Sequence, residues 1–149
     1  MIYEKIKTLN ITLVAPAPAG LYTPVKTVGS LVYTSGIIPV TAGKSLYTGK
    51  VGAEVSLEQA QEAAKLCVAN ILGALDAHLG DLRKIKQIVK VTGFVQSATG
   101  FNQQANVMNA ASQLLCDIFG DKGVHTRSAV GVYELPLNVP VEIELIAEI

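Results

Sequence analysis

The amino-acid sequence predicts an α+β sandwich, one sheet with two long helices packed on a single face. Three observations carry this expectation. Two long segments space their apolar residues as amphipathic helices do, and the remaining patterned segments read as strands, in the order strand, strand, helix, strand, helix, strand, strand. The C-terminal run also alternates strictly. Val141, Ile143, Leu145, Ala147 and Ile149 share one parity while Glu142, Glu144 and Glu148 share the other, the pattern of a strand with one face on a core.

In chain order, a strand is expected over about Lys5 to Leu13, followed by a loop at Ala15-Pro16-Ala17-Pro18-Ala19-Gly20, where two prolines remove ladder donors. A second strand is expected from about Val25 to Ser35, rich in valine, leucine and tyrosine. Gly36, Pro39, Gly43 and Gly49 then mark a long turn region. Ser56 with Gln59 three residues on has the spacing of a capping box, which opens the first helix. Ala60, Ala63, Ala64, Cys67, Val68, Ile71, Leu72 and Leu75 form its apolar stripe, and Gly80 ends it. A strand is expected from Lys84 to Gln96, a helix from Phe101 to Phe119 closed by Gly120, and a strand from Arg127 to Leu135 closed by Pro136.

A chain of 149 residues suits one domain spanning positions 1–149. Half of it is hydrophobic and only 16% is charged, against about 25% in ordinary soluble proteins. That composition argues against disorder. It also leaves little charge to cover a surface, so a homo-oligomer is expected. Lysine plus arginine balances aspartate plus glutamate at 12 each, which disfavours a nucleic-acid grip built on net positive charge. The run without charge from Val91 to Cys116 is broken by amides and hydroxyls, so no membrane span is expected. No signal-peptide pattern opens the chain. Cys67 and Cys116 lie in apolar helical contexts and read as buried reduced thiols of a cytoplasmic protein, although spacing alone leaves a disulfide open.

Metal ligation has little support, because His78 and His125 are the only histidines and neither has close companion ligands. Thr48-Gly49-Lys50 lacks the rest of a phosphate loop, no dinucleotide fingerprint occurs, and Ser35-Gly36 lacks the spacing of a nucleophile elbow. No cofactor is expected.

One constellation remains. Arg127, one of two arginines, stands where a Gly-rich turn enters an apolar strand, with the small residues Ala129 and Gly131 on its own parity. In one reading it pairs with Glu142 or Glu144 of an adjacent strand. In the other its planar fork awaits a substrate carboxylate held by two parallel hydrogen bonds. Glu144 and Glu148 read as a solvated face, whereas Glu142, nearest the turn at Pro140, can reach a pocket rim. Tyr22, after the Pro-rich loop, reads either as a lid on the core or as a ring over a small ligand.

Four stretches, Val32-Tyr33-Thr34-Ser35-Gly36-Ile37-Ile38-Pro39, Arg127-Ser128-Ala129-Val130, Leu135-Pro136 and Val141-Glu142-Ile143-Glu144, resemble the RidA (YjgF) family, also called endoribonuclease L-PSP-like. The similarity runs in order from Ala15 to Ile149. It implies a chorismate-mutase-like α+β fold with a single mixed sheet, assembled as a homotrimer with ligand clefts between subunits. The implied activity is hydrolysis of reactive 2-imino or enamine acids to 2-keto acids and ammonia, without metal or cofactor.

The resemblance assigns Arg127 to the substrate carboxylate and Glu142 to the attacking water. It assigns Tyr22, Ser35, Asn109 and backbone groups at Ala129 to substrate binding. Leu21 stands where the family has a proline, and Ala129 where many members have a cysteine. The turns around Tyr47 to Ala53 and Asp117 to Val124 are longer than in the deaminase members and place the chain in a longer subgroup. The alternatives are a non-catalytic trimer that binds small carboxylates and, less favoured by the charge balance, an endoribonuclease.

Overall fold

The computed structural model describes residues 1–17 and 20–149. The expected loop at Ala15–Gly20 therefore lies outside the described residues at Pro18 and Ala19.

The chain does not begin with a strand. Residues Ile2–Thr8 form a short helix, α1, because Ile2 and Ile6 are one helical turn apart and both turn toward the core. Tyr3 pins it by donating to Asp76 (2.5 Å) and accepting from the Leu82 amide (2.9 Å). Beyond it the chain passes without regular structure, laying Ile11 and Leu13 on the core. Ile11 and Leu13 flank Thr12 as in a strand, yet residues 9–17 belong to no strand.

The single strand expected over Val25–Ser35 is a hairpin. Its strands β1 (Val25–Val28) and β2 (Leu31–Thr34) turn at Gly29-Ser30, where Gly29 takes φ +60°. A minute hairpin of β3 (Val40–Thr41) and β4 (Lys44–Ser45) occupies the turn region. Helix α2 (Leu57–Leu79) starts as expected, since Ser56 and Gln59 make both bonds of the capping box. It ends on Gly80 in the left-handed conformation. All eight residues of its anticipated stripe are buried. Strand β5 (Gln87–Gln96) begins three residues later than expected, because a 3₁₀ turn at Leu82–Lys84 takes up Lys84. Helix α3 (Gln104–Phe119), β6 (Thr126–Val132) and β7 (Val141–Glu148) follow, and Pro136 opens a 3₁₀ turn rather than closing a strand.

Five strands make one mixed sheet in the order β1-β2-β7-β5-β6. Only β5 and β6 run parallel, and α3 is the crossover between them. Helices α2 and α3 pack together on one face. That face carries Val91 and Val95 of β5 with Val141, Ile143, Leu145 and Ala147 of β7, all buried. The other face carries Tyr33, Lys90, Thr92, Phe94, Val130, Glu142, Glu144 and Ile146, none of them buried.

At the end of β5 the buried side chain of Gln96 donates to the Gly49 carbonyl (2.9 Å) and to Asn138 Oδ1 (2.8 Å), and accepts from the Leu135 amide (2.6 Å). Two loops distant in sequence are thereby tied to one strand end. Cys67 is buried and Cys116 only half-buried, and both are free thiols. No helix among the described residues is long and apolar enough to cross a membrane.

Candidate functional site

The residues singled out by the sequence fall into two groups. The first is built on β6 and α3. Arg127 lies opposite Val91 in the β5–β6 register and Val91 lies opposite Leu145, so the arginine stands on the helix-bearing side of the sheet. Its Nη1 donates to Asn109 Oδ1 (2.9 Å) and to Ser112 Oγ (3.1 Å), both on α3. Ala129, two residues on, shares its side of the strand and is half-buried. Asn109 is thereby brought to the Arg127 guanidinium.

The structural pairing considered for Arg127 does not form. Strand β5 lies between β6 and β7, so neither Glu142 nor Glu144 is on an adjacent strand. Among the described residues Arg127 makes no ion pair, and its recorded partners are neutral oxygens.

Two residues enter this group that sequence reasoning did not select. Ser112 Oγ lies 2.9 Å from His125 Nε2, and His125 Nδ1 lies 2.6 Å from the Gly123 carbonyl oxygen. The signals were faint. Ser112 sits on α3 one turn beyond Asn109, and His125 sits two residues before Arg127.

The second group is built on β7 and the segment after β2. Main-chain bonds between Ile37 and Ile143 in both directions (2.8 and 3.0 Å) hold this segment against β7. Gly36 is thereby set beside the Glu142 carboxylate so closely that a Cβ there would lie 2.8 Å from Cδ. Only glycine leaves the carboxylate its present position.

Burial, and after it the charge of Glu144, raises the Glu142 carboxyl above its ordinary range. Ser35 gives its hydroxyl proton to the Thr23 carbonyl (2.7 Å) and its amide proton to the Pro24 carbonyl (2.8 Å), so it fixes the turn that follows Tyr22. Tyr22 is half exposed and lines, with Gly36 and Ile38, a largely apolar cavity of about 960 Å³ bounded also by Val14, Leu66 and Leu114.

Glu142 lies opposite Phe94 on the uncovered face, whereas Arg127 stands on the helix-bearing face. Two strand spacings, about 10 Å, also separate their strands. A single chain therefore keeps the guanidinium and the carboxylate apart, on opposite faces of the sheet.

A family model described as Endoribonuclease L-PSP matches residues 12–149. The chain belongs to that family, the RidA/YjgF family. The chain is 36% identical over 150 residues to Protein TCP17 of Trypanosoma cruzi, covering 99% of this chain and 94% of that one. It is 32% identical over 143 residues to a 2-iminobutanoate/2-iminopropanoate deaminase of Dermatophagoides farinae, covering 96% and 97%.

Among solved structures, the Agrobacterium tumefaciens protein Atu1372, of unknown function, superposes with a TM-score of 0.91 at 44% identity over 99% of this chain and 91% of that one. E. coli TdcF with bound serine superposes with a TM-score of 0.69 at 29% identity over 93% and 95%. The α+β sandwich with two long helices is the fold of these RidA-like neighbours.

Proposed function

We propose that this chain is a cytoplasmic hydrolase that converts reactive 2-imino or enamine acids to 2-keto acids and ammonia, in clefts between the copies of a homotrimer. The observation that carries the reading is an arginine held by two neutral side chains of α3, with no carboxylate of its own among the described residues. A guanidinium in that state keeps its charge available for an acid from outside.

In this reading Arg127 takes the substrate carboxylate and sets the imine carbon beside the main chain at Ala129. Glu142 of a neighbouring copy accepts a proton from water as the water oxygen bonds to the imine carbon. It passes that proton to the nitrogen, giving a carbinolamine, then takes the hydroxyl proton and delivers it to the same nitrogen, so that the carbon–nitrogen bond breaks, ammonia leaves and the carbonyl forms. A carboxyl whose affinity for protons is raised by burial suits both steps better than an exposed one. The separation of Arg127 and Glu142 within one chain supports an assembled cleft, and so does the uncovered sheet face with Tyr33 and Val130 exposed. The deaminase name of one relative and the serine in TdcF fit a small amino-acid-like substrate.

The guanidinium half-site is complete within one chain, which also suits a non-catalytic carboxylate-binding protein. An amino-acid oxidase reaction with semicarbazide trapping of the imine separates the two readings. Added protein should lower the trapped product, Arg127→Ala should abolish that effect, and the oligomer should persist in the variant. Unchanged trapping across several amino acids, beside calorimetric binding of a keto acid, would replace the enzymatic reading with the binding one.

A further inference from the structure

The guanidinium of Arg127 has donors only. Its Nη1 spends both N–H bonds on α3, one on Asn109 Oδ1 (2.9 Å) and one on Ser112 Oγ (3.1 Å). The Ser112 hydroxyl, having accepted one bond, keeps one proton to give, and His125 Nε2 lies 2.9 Å away. At the far end His125 Nδ1 lies 2.6 Å from the Gly123 carbonyl, which can only accept.

A donor at one end and an acceptor at the other give the chain one direction, from Arg127 to Ser112 to His125 to Gly123. The Gly123 carbonyl fixes a proton on Nδ1, and with the imidazole neutral Nε2 then accepts from the Ser112 hydroxyl. An imidazolium would aim a second donor at the Ser112 oxygen and leave the hydroxyl proton without this partner.

We propose that Ser112 and His125 are positioning residues of the anion-binding site, which clamp the Nη1 arm of Arg127 and leave its Nε–Nη2 edge as the one that takes a ligand. End-on docking across both terminal nitrogens is closed, because the hydrogens of Nη1 are already committed. A planar carboxylate must then dock side-on, with one oxygen on Nε–H and one on Nη2–H, which fixes its plane and the direction of the carbon attached to it. The ligand class is a small acid with its reacting carbon next to the carboxylate. This inference rests on the carboxylate-anchoring reading above and adds two residues to it.

Nitrogen-15 NMR of the full chain reads the clamp without any ligand. His125 should carry its proton on Nδ1, and the Arg127 guanidinium should rotate slowly about its Nε–Cζ bond. Ser112→Ala should speed that rotation and weaken calorimetric binding of the probe 2-oxobutanoate by about tenfold, while Ser112→Thr, which keeps the hydroxyl, should restore both. A proton on Nε2 of His125, or rotation indifferent to Ser112→Ala, overturns the clamp. Absence of 2-oxobutanoate binding to the unaltered protein, with the NMR results as expected, overturns instead the anchoring reading and the docking edge with it.

Discussion

Arg127 and Glu142 belong to opposite faces of one sheet. Val91 aligns Arg127 with the buried Leu145 beneath the helices, while Phe94 aligns Glu142 with the exposed Val130 on the uncovered side. Chemistry that needs both groups at one substrate must draw them from two copies of the chain.

Subunit mixing tests this directly. Arg127→Ala and Glu142→Gln proteins should each be inactive alone. Unfolded together and reassembled in equal amounts, they should recover about a quarter of the unaltered rate, since a quarter of random clefts receive both intact groups. Recovery should be read by semicarbazide trapping, and no recovery in verified mixed oligomers would place both groups in one subunit.

Gly36 keeps the Glu142 carboxylate in place by having no side chain. Gly36→Ala should push the carboxylate aside and lower kcat by roughly tenfold to a hundredfold. Stability should hardly change, because the displaced group is the end of a flexible side chain. Steady-state kinetics beside a thermal melt checks both halves of the expectation.

The raised Glu142 carboxyl has a signed effect on stability. Its proton binds more tightly in the folded chain than in the unfolded one. Stability present below the unfolded value, about 4.3, is therefore lost as pH rises through the higher folded value. Glu142→Gln removes the half-buried charge, so it should raise Tm by a few degrees at pH about 7 and leave it unchanged near pH 4. Melts across that range measure the difference, and an equal shift at every pH would contradict it.

Gly73 is the point where the segment after α1 touches α2, and a Cβ there would lie 2.2 Å from the Val14 carbonyl oxygen. The obstacle is main chain and cannot swing away. Gly73→Ala should destabilise the protein by about 1–3 kcal/mol, measured by urea denaturation, with amide exchange rising around Val14 more than in β5.

Much of this fold could be read from residues alone. The Ser56–Gln59 pair and the stripe from Ala60 to Leu75 describe α2 because capping and periodicity are local properties, and the parity of β7 is local too. The hairpin was legible but unread, since Gly29-Ser30 between two β-rich runs is a two-residue turn signal that the valine, leucine and tyrosine on either side masked. The N-terminal segment misled for the opposite reason, since Ile11 and Leu13 alternate properly but sheet pairing is not a local property. In the site, Arg127 stood out from its own surroundings in the sequence, whereas Asn109 was reached only through family resemblance. Ser112 and His125 were reached by neither route, because only the parallel β5–β6 pair and the α3 crossover bring them to the same guanidinium. The expectation that Arg127 neighbours β7 failed on strand order, which alternation cannot reveal.

Gln96 binds the Gly49 carbonyl, the Asn138 side chain and the Leu135 amide with one amide group. A relative that lengthened only one of these two loops would strand a buried polar atom at the junction. The two walls of the sheet end are therefore energetically coupled, and a shift in either one is felt by the other through a single amide.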